Sequence, residues 1–279
     1  MKLLLALCWF SVCAFGWGRE GHKLIASMAE ARLSPKALEA VRELLGDGVR
    51  LADISTCADD FRSYARLRSK DDPAAVVPDH CLLSGDQIMA EFAESAGWHY
   101  VNIPIPADTD HRDAVLQKAC ASDCVTAQIH RFAAQLADKS QSPQKRAIAL
   151  LYLTHLVADL HQPLHAVDRN RDEGGNLVFV LYNGRAIRLH SFWDTAVVLR
   201  LGTVEPKGNV DHGHKTPESW AWEGYDISRK IYKKIPTDTS EQKPFMLSGG
   251  YIHDAERIAR ERLFAGAVRL ADVLNGALS

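Results

Sequence analysis

The sequence predicts a mainly α-helical protein, a single multi-helix domain with one small β-hairpin. Apolar residues recur at helical spacing along most of the chain, and only one stretch places β-prone runs around an Asn-Gly pair. No internal repeat or low-complexity linker divides the 279 residues. Residues 18–32 bring Leu24, Ile25, Met28 and Ala29 to one helical face. Ser34 then offers a hydroxyl to cap a first-turn N–H, and Pro35 fits the first helical position. That helix continues through Leu38, Val41, Leu44 and Leu45 and stops at Gly46. Helices are also expected over 125–138, 145–161, 218–232 and 251–275. The hairpin is expected over 177–182 and 185–190, because Asn183-Gly184 tolerates the positive φ of a tight turn. Gly174-Gly175 before it and 202–217 after it read as loops.

Residues 1–16 have the pattern of a cleaved secretory signal: Lys2, an apolar run over 3–15, and small Ala14 and Gly16 ahead of the cut. Spanning a bilayer takes about 20 apolar residues, so this run is too short to be an anchor. Neither Cys8 nor Cys13 follows the small residue that lipid attachment needs. The mature chain is then 17–279, without a further long apolar run, secreted or periplasmic, and with no membrane anchor or obligate protein partner expected. It also lacks an Asn-x-Ser/Thr sequon. Lys+Arg 33 against Asp+Glu 35 give a net charge of −2, or −3 once Lys2 is gone, which argues against duplex binding through a broad basic face. Bound divalent cations would add positive charge that this count does not register. Beyond the leader stand Cys57, Cys81, Cys120 and Cys124, which suit an oxidising compartment and allow three pairings. Cys120 and Cys124 can close a small loop, which leaves Cys57 for Cys81.

The chemistry concentrates in residues 154–165. His155 and Asp159 are four apart and so share a helical face, while Leu156, Val157 and Leu160 mark the helix as buried. Ionisable groups are costly there unless something compensates them, and a cation would. Imidazole and carboxylate are the donors that zinc favours. Further candidate ligands are His22 in the first helix, Asp59 near a helix, and His99 in a short extended segment. His190 and Asp194, again four apart, stand where the hairpin ends. Each is weak alone, and the joint pattern carries the information.

The ordered set Trp17-Gly18, Gly21-His22, Ala58-Asp59-Asp60-Phe61-Arg62, Trp98-His99-Tyr100-Val101 and 154–165 is similar to the zinc-dependent single-strand nucleases of the S1/P1 type. So are Gly174-Gly175-Asn176, Leu189-His190-Ser191-Phe192-Trp193-Asp194-Thr195 and the last helix, 265–275, so the resemblance spans the mature chain. It implies the mainly α fold of the zinc phospholipase C and single-strand nuclease superfamily, with three zinc ions per chain. Asp59, His99, His155 and Asp159 would hold one, and His165, His190 and Asp194 a second. His22, a bridging Asp159 and the α-amine and carbonyl of Trp17 would hold the third, so that signal cleavage creates a ligand. The implied reaction is in-line attack of a zinc-bridging hydroxide on single-stranded DNA, RNA and 3′-mononucleotides, leaving 5′-phosphates. Asp59 would orient the nucleophile, and Arg62 would stabilise phosphoryl charge. Tyr100 would stack a base, Asn102 would bind a base edge where fungal members often have a carboxylate, and Asn176 would also contact substrate.

His161 falls outside the ligand set and reads as packing or as a residue standing behind the ligands. His212-Gly213-His214 reads as loop decoration, and His80, His111, His130 and His253 carry no signal. The runner-up activity is a bacterial zinc phospholipase C, which shares the fold and most ligands but typically ends its set with Glu where Asp194 stands. A non-catalytic zinc scavenger is the alternative from another class, and it leaves Arg62 without a role.

Overall fold

A computed structural model describes residues 17–120, 123–202 and 215–279, so the leader and His212-Gly213-His214 lie outside the described residues. The chain opens with α1 (Arg19–Glu30), α2 (Pro35–Leu45), the short α3 (Leu51–Ile54), α4 (Cys57–Arg68) and α5 (Gly85–Glu91). After β1 (Ile103–Pro104) come α6 (Arg112–Cys120), α7 (Val125–Ala137) and α8 (Pro143–Leu160). Next are β2 (Val167–Asp168), β3 (Phe179–Tyr182), β4 (Arg185–Arg188), α9 (Leu189–Ser191) and α10 (Val197–Leu201). The chain ends with α11 (Pro217–Tyr232), β5 (Phe245–Met246) and α12 (Gly249–Ala277). The fold is mainly α, as the hydrophobic spacing predicts.

Helix α8 is the axis. Ser142 caps it by accepting from Lys145 N, Pro143 starts it, and every residue from Ala147 to Leu160 is buried. Helices α7, α1, α2, α4, α11 and α12 pack around it. Such all-round burial needs apolar residues on every face, and Leu150, Leu151, Leu153, Leu156 and Val157 supply them. Midway along, Tyr152 stacks on Phe132 with ring centres 4.6 Å apart and meets Trp98 edge-on at 5.4 Å. Ser34 caps α2 through Ala37 N, as its sequence signature predicts.

Two small sheets fasten the ends of this assembly. Strand β1 runs parallel to β2, pairing Ile103 with Val167, so the segment after His99 is tied to the segment after His165. Strand β3 pairs antiparallel with β4 and parallel with β5. The hairpin is shorter than the sequence suggests, because Leu189 and His190 are buried and turn into helix, continuing as a π-helical turn over Phe192–Ala196. His99 also departs from expectation: it ends a 3-10 turn, Ser95–His99, and the chain becomes extended only at Tyr100. Helix α4 escapes the apolar pattern because its buried face includes Asp59 and Asp60. Disulfides join Cys57 to Cys81 and Cys120 to Cys124. Among the described residues no helix is long and apolar enough to cross a membrane.

Phe132→Ala opens a cavity against Tyr152 and is expected to cost about 3–5 kcal/mol in urea unfolding. Leu199→Ala, at a 63% exposed position, should stay within about 0.5 kcal/mol. Equal losses at the two positions would contradict this account of the core.

Candidate metal centre and cleft

The last two turns of α8 aim His155 and Asp159 at one point, and five other parts of the fold converge on it. Helix α1 supplies His22 and α4 supplies Asp59. The 3-10 turns over Ser95–His99 and Pro163–Ala166 supply His99 and His165, and the helical segment after the hairpin supplies His190 and Asp194. All of them are buried.

Asp159 Oδ2 lies 2.9 Å from His99 Nδ1 and 3.0 Å from His155 Nε2, and those two nitrogens are themselves 3.0 Å apart. Asp59 Oδ1 stands 3.7 Å from the first nitrogen and 3.8 Å from the second. Four donors bound to one tetrahedral zinc at about 2.0–2.1 Å would sit about 3.3 Å from one another, so these four atoms have the spacing of a zinc cage. The second oxygen of Asp159, Oδ1, faces His22 Nε2 at 3.3 Å. A second group has His190 Nε2 3.3 Å from Asp194 Oδ2, with the His165 ring stacked on His190 at 5.0 Å. Donor atoms of His165, His190 and Asp194 all fall within 4.8 Å of one another. The same holds for His22, Asp59 and His155, so the His22 and Asp59 groups adjoin.

Backbone carbonyls set the tautomers. His155 Nδ1 donates to Ser55 O (2.8 Å), His165 Nδ1 to His99 O (2.9 Å) and His190 Nδ1 to Gly174 O (2.7 Å). Each bond leaves the Nε2 lone pair pointing inward, as metal-ligating histidines require. Gly174 has φ +61°, and a Cβ there would lie 2.6 Å from Leu164 O, so only glycine brings this carbonyl to His190.

Both nitrogens of His22, Asp59 Oδ1, His99 Nε2, Asp159 Oδ1, His165 Nε2 and Asp194 Oδ2 are buried without a hydrogen-bonding partner in the protein. Each such atom costs about 1–3 kcal/mol, and their concentration here fits a cation-binding pocket. Burial pushes His22, His99 and His165 below the ordinary histidine pKa, and takes His190 to about 3 with help from His165. His155 is the exception. Burial opposes its charge but the Asp159 and Asp59 carboxylates outweigh burial, raising it to about 9. Asp159 is held well below the carboxylate range, because the His155 and His165 charges outweigh burial, whereas burial lifts Asp194 well above it.

Trp17 is fully buried, and Gly18 N donates to Asp194 O at 2.7 Å, so the Trp17-Gly18 pair sits against the second ligand group. A Cβ on Gly21 would come within 2.7 Å of Trp17 Cβ. His161 turns away: its Nδ1 donates to Val157 O (2.7 Å) and its Nε2 meets Arg269 Nη1 (2.9 Å), the packing role expected of it. Cys57, His80 and Cys81 also cluster, but sulfurs in a disulfide are not thiolate ligands. Sequence reasoning missed Gln162. Its Nε2 donates to Asp194 Oδ1 and its Oε1 accepts from Leu164 N, both at 2.6 Å, so one buried amide orients Asp194 and the His165 turn. A polar residue in a buried run just before Pro163 was its visible signal.

Beside the donors lies a cleft of about 190 Å³, lined by Arg62, Tyr100, Asn102, His165, His190 and Asn176 together with Leu164, Asp168, Glu173 and Gly174. Arg62 Nη2 is 3.7 Å from Asp59 Oδ1, and its side chain is 20% exposed, so the guanidinium joins cleft and donors. Tyr100 exposes 39% of its surface, enough to offer a ring face. Asn176 donates to Glu173 O at 2.9 Å and keeps a buried Oδ1 without a partner. Asp168 and Glu173 had no motif to announce them.

The family description S1/P1 Nuclease matches residues 17–279. Endonuclease 2 of Arabidopsis thaliana is 28% identical to this chain, across 93% of it and 90% of its own length. Nuclease P1 of Penicillium citrinum is 27% identical, across 77% of this chain and 75% of its own length. Endonuclease 1 of Arabidopsis thaliana is 25% identical, across 100% of this chain and 93% of its own length. With the family's description matched from Trp17 to the last residue, the chain belongs to the S1/P1 nuclease family.

Proposed function

We propose that the protein is a secreted zinc-dependent nuclease that cleaves single-stranded DNA and RNA to products with 5′-phosphates and releases inorganic phosphate from 3′-mononucleotides. The observation that carries this reading is the divided carboxylate of Asp159, with one oxygen toward His99 and His155 and the other toward His22. Asp59, His99, His155 and Asp159 would hold one zinc, and His165, His190 and Asp194 a second. Asp159, His22 and the main chain of Trp17, freed by cleavage after Gly16, would hold a third. The α-amine has a pKa near about 8, low enough to give up its proton to a metal. When bound, zinc supplies ionised water at neutral pH and neutralises phosphoryl charge.

The chain's own groups do the rest. The Asp59 carboxylate orients the attacking water, and its Oδ1 makes no hydrogen bond within the protein. Arg62 stands beside it and offsets charge on the phosphoryl oxygens. Tyr100 stacks an unpaired base, worth about 1–3 kcal/mol, which selects single strands over stacked duplex. The Asn102 amide both donates and accepts to a base edge, and the free Oδ1 of Asn176 accepts from the nucleotide.

The test is an assay of purified, exported protein on single-stranded DNA, RNA and phosphatidylcholine. Turnover of both nucleic acids is expected, and turnover of lipid alone would sink the reading. Native mass spectrometry should find Trp17 first and three zincs, whereas full zinc occupancy with a residue ahead of Trp17 would refute the α-amine ligand. Asp159→Ala should lose two zincs together and more than about 100-fold in activity, since loss of a mere outer-shell partner already costs about 10–100-fold. Loss of a single zinc would contradict the bridge. Zinc must displace the proton that His155 holds up to about pH 9. Binding at neutral pH should therefore release protons, and affinity should fall as pH falls. Calorimetry in buffers of different ionisation enthalpy checks this, and an unchanged heat would count against it.

A further inference from the structure

Beyond the cleft, strand β1 leads to a second cavity. Asn102 lines the cleft and Ile105, three residues on, lines a groove of about 750 Å³ whose other walls are Arg169, Asp226, Arg229, Lys230, Tyr232 and Lys233. At the end of the paired strand β2, Asp168 lines the cleft and Arg169, the next residue, lines the groove. Three residues of strand cover about 10 Å, so the two cavities are neighbours.

The groove is basic in a chain of net charge −2. Arg229, Lys230 and Lys233 are exposed, and none has an ion-pair partner among the described residues. The groove's one carboxylate, Asp226, lies 3.5 Å from Arg112. Arg169 is committed to the floor, donating to Ile235 O and Pro236 O and lying over the Tyr232 ring. Tyr225 and Tyr232 are buried, so the groove presents cations and no free ring to stack a base.

We propose that Arg229, Lys230 and Lys233 carry the phosphate backbone of a single strand past the nucleotide held in the cleft, an inference that rests on the nuclease reading. Unstacked phosphate contacts of this kind position a strand without reading its sequence. The groove therefore makes activity depend on strand length and salt rather than on base composition.

The test compares zinc-loaded wild type with R229Q/K230Q/K233Q on a ~20-nucleotide strand and on a dinucleotide, with melting temperature as control. At about 50 mM salt kcat/KM on the long strand should fall about tenfold. Its log–log salt slope should flatten by about 2, for three contacts at about 0.7 each on single strands. The dinucleotide should be cleaved as before. A long strand cleaved at the wild-type rate and salt slope would overturn the proposal. So would equal losses on both substrates, or a lower melting temperature as the only change, since the cations would then serve only the C-terminus of α11. Anisotropy with a hydrolysis-resistant phosphorothioate strand keeps the two readings apart. If wild type cleaves neither substrate, the nuclease reading falls, and loss or retention of strand binding in the variant then decides the groove alone.

Discussion

Everything in this molecule is arranged around a carboxylate that water cannot reach. Asp159 is fully buried on a helix that is apolar on all sides, and it is held in its charged form by imidazoles on both of its oxygens. Taking that charge out of water costs several kcal/mol after relaxation, and the neighbouring histidines offset the cost only in part. The concentration of buried donors without protein partners is the remainder. A fold that pays this cost without a ligand would gain by replacing the whole set with leucine, so the donors make sense as the lining of a cation site.

Rigidity comes from the main chain more than from the donors themselves. Carbonyls of Ser55, His99 and Gly174 fix the three imidazoles that could otherwise flip, and the Gln162 amide fixes Asp194. These anchors lie in turns, where carbonyls are not consumed by helix bonding. The 3-10 turns around His99 and His165 and the left-handed Gly174 are thus useful because they are irregular. The β1–β2 pair then locks two of the turns to each other and carries the cleft wall toward the basic groove.

Much of this was legible in the sequence, for physical reasons. The His-x3-Asp spacing on an apolar helix, the Ser34-Pro35 start and the Asn183-Gly184 turn are local signals, and each appears where expected. Signals failed where tertiary contact overrides pattern. Helix α4 looks too polar because it buries two aspartates, and the hairpin looks too long because Leu189 and His190 are pulled into helix by the core. Asp168 and Glu173 were invisible because their importance lies in what folds against them, and Gln162 showed only as a polar residue in a buried run. The bridging geometry of Asp159 was an implication of family resemblance. In the structure its two oxygens do face separate imidazole groups.

The donors are scattered from His22 to Asp194, and only two short stretches, His155 to His165 and His190 to Asp194, bring donors within a dozen residues of one another. Closing the site means closing loops of tens of residues, an entropic cost met only when the helices dock. A partly synthesised or proteolysed chain therefore cannot form the cage, unlike a zinc finger, whose ligands sit on one short hairpin and helix. For the complete fold the metal would act as a staple across the sequence, tying N-terminal to C-terminal halves. Metal capture in this architecture would report that the whole chain has reached its folded form.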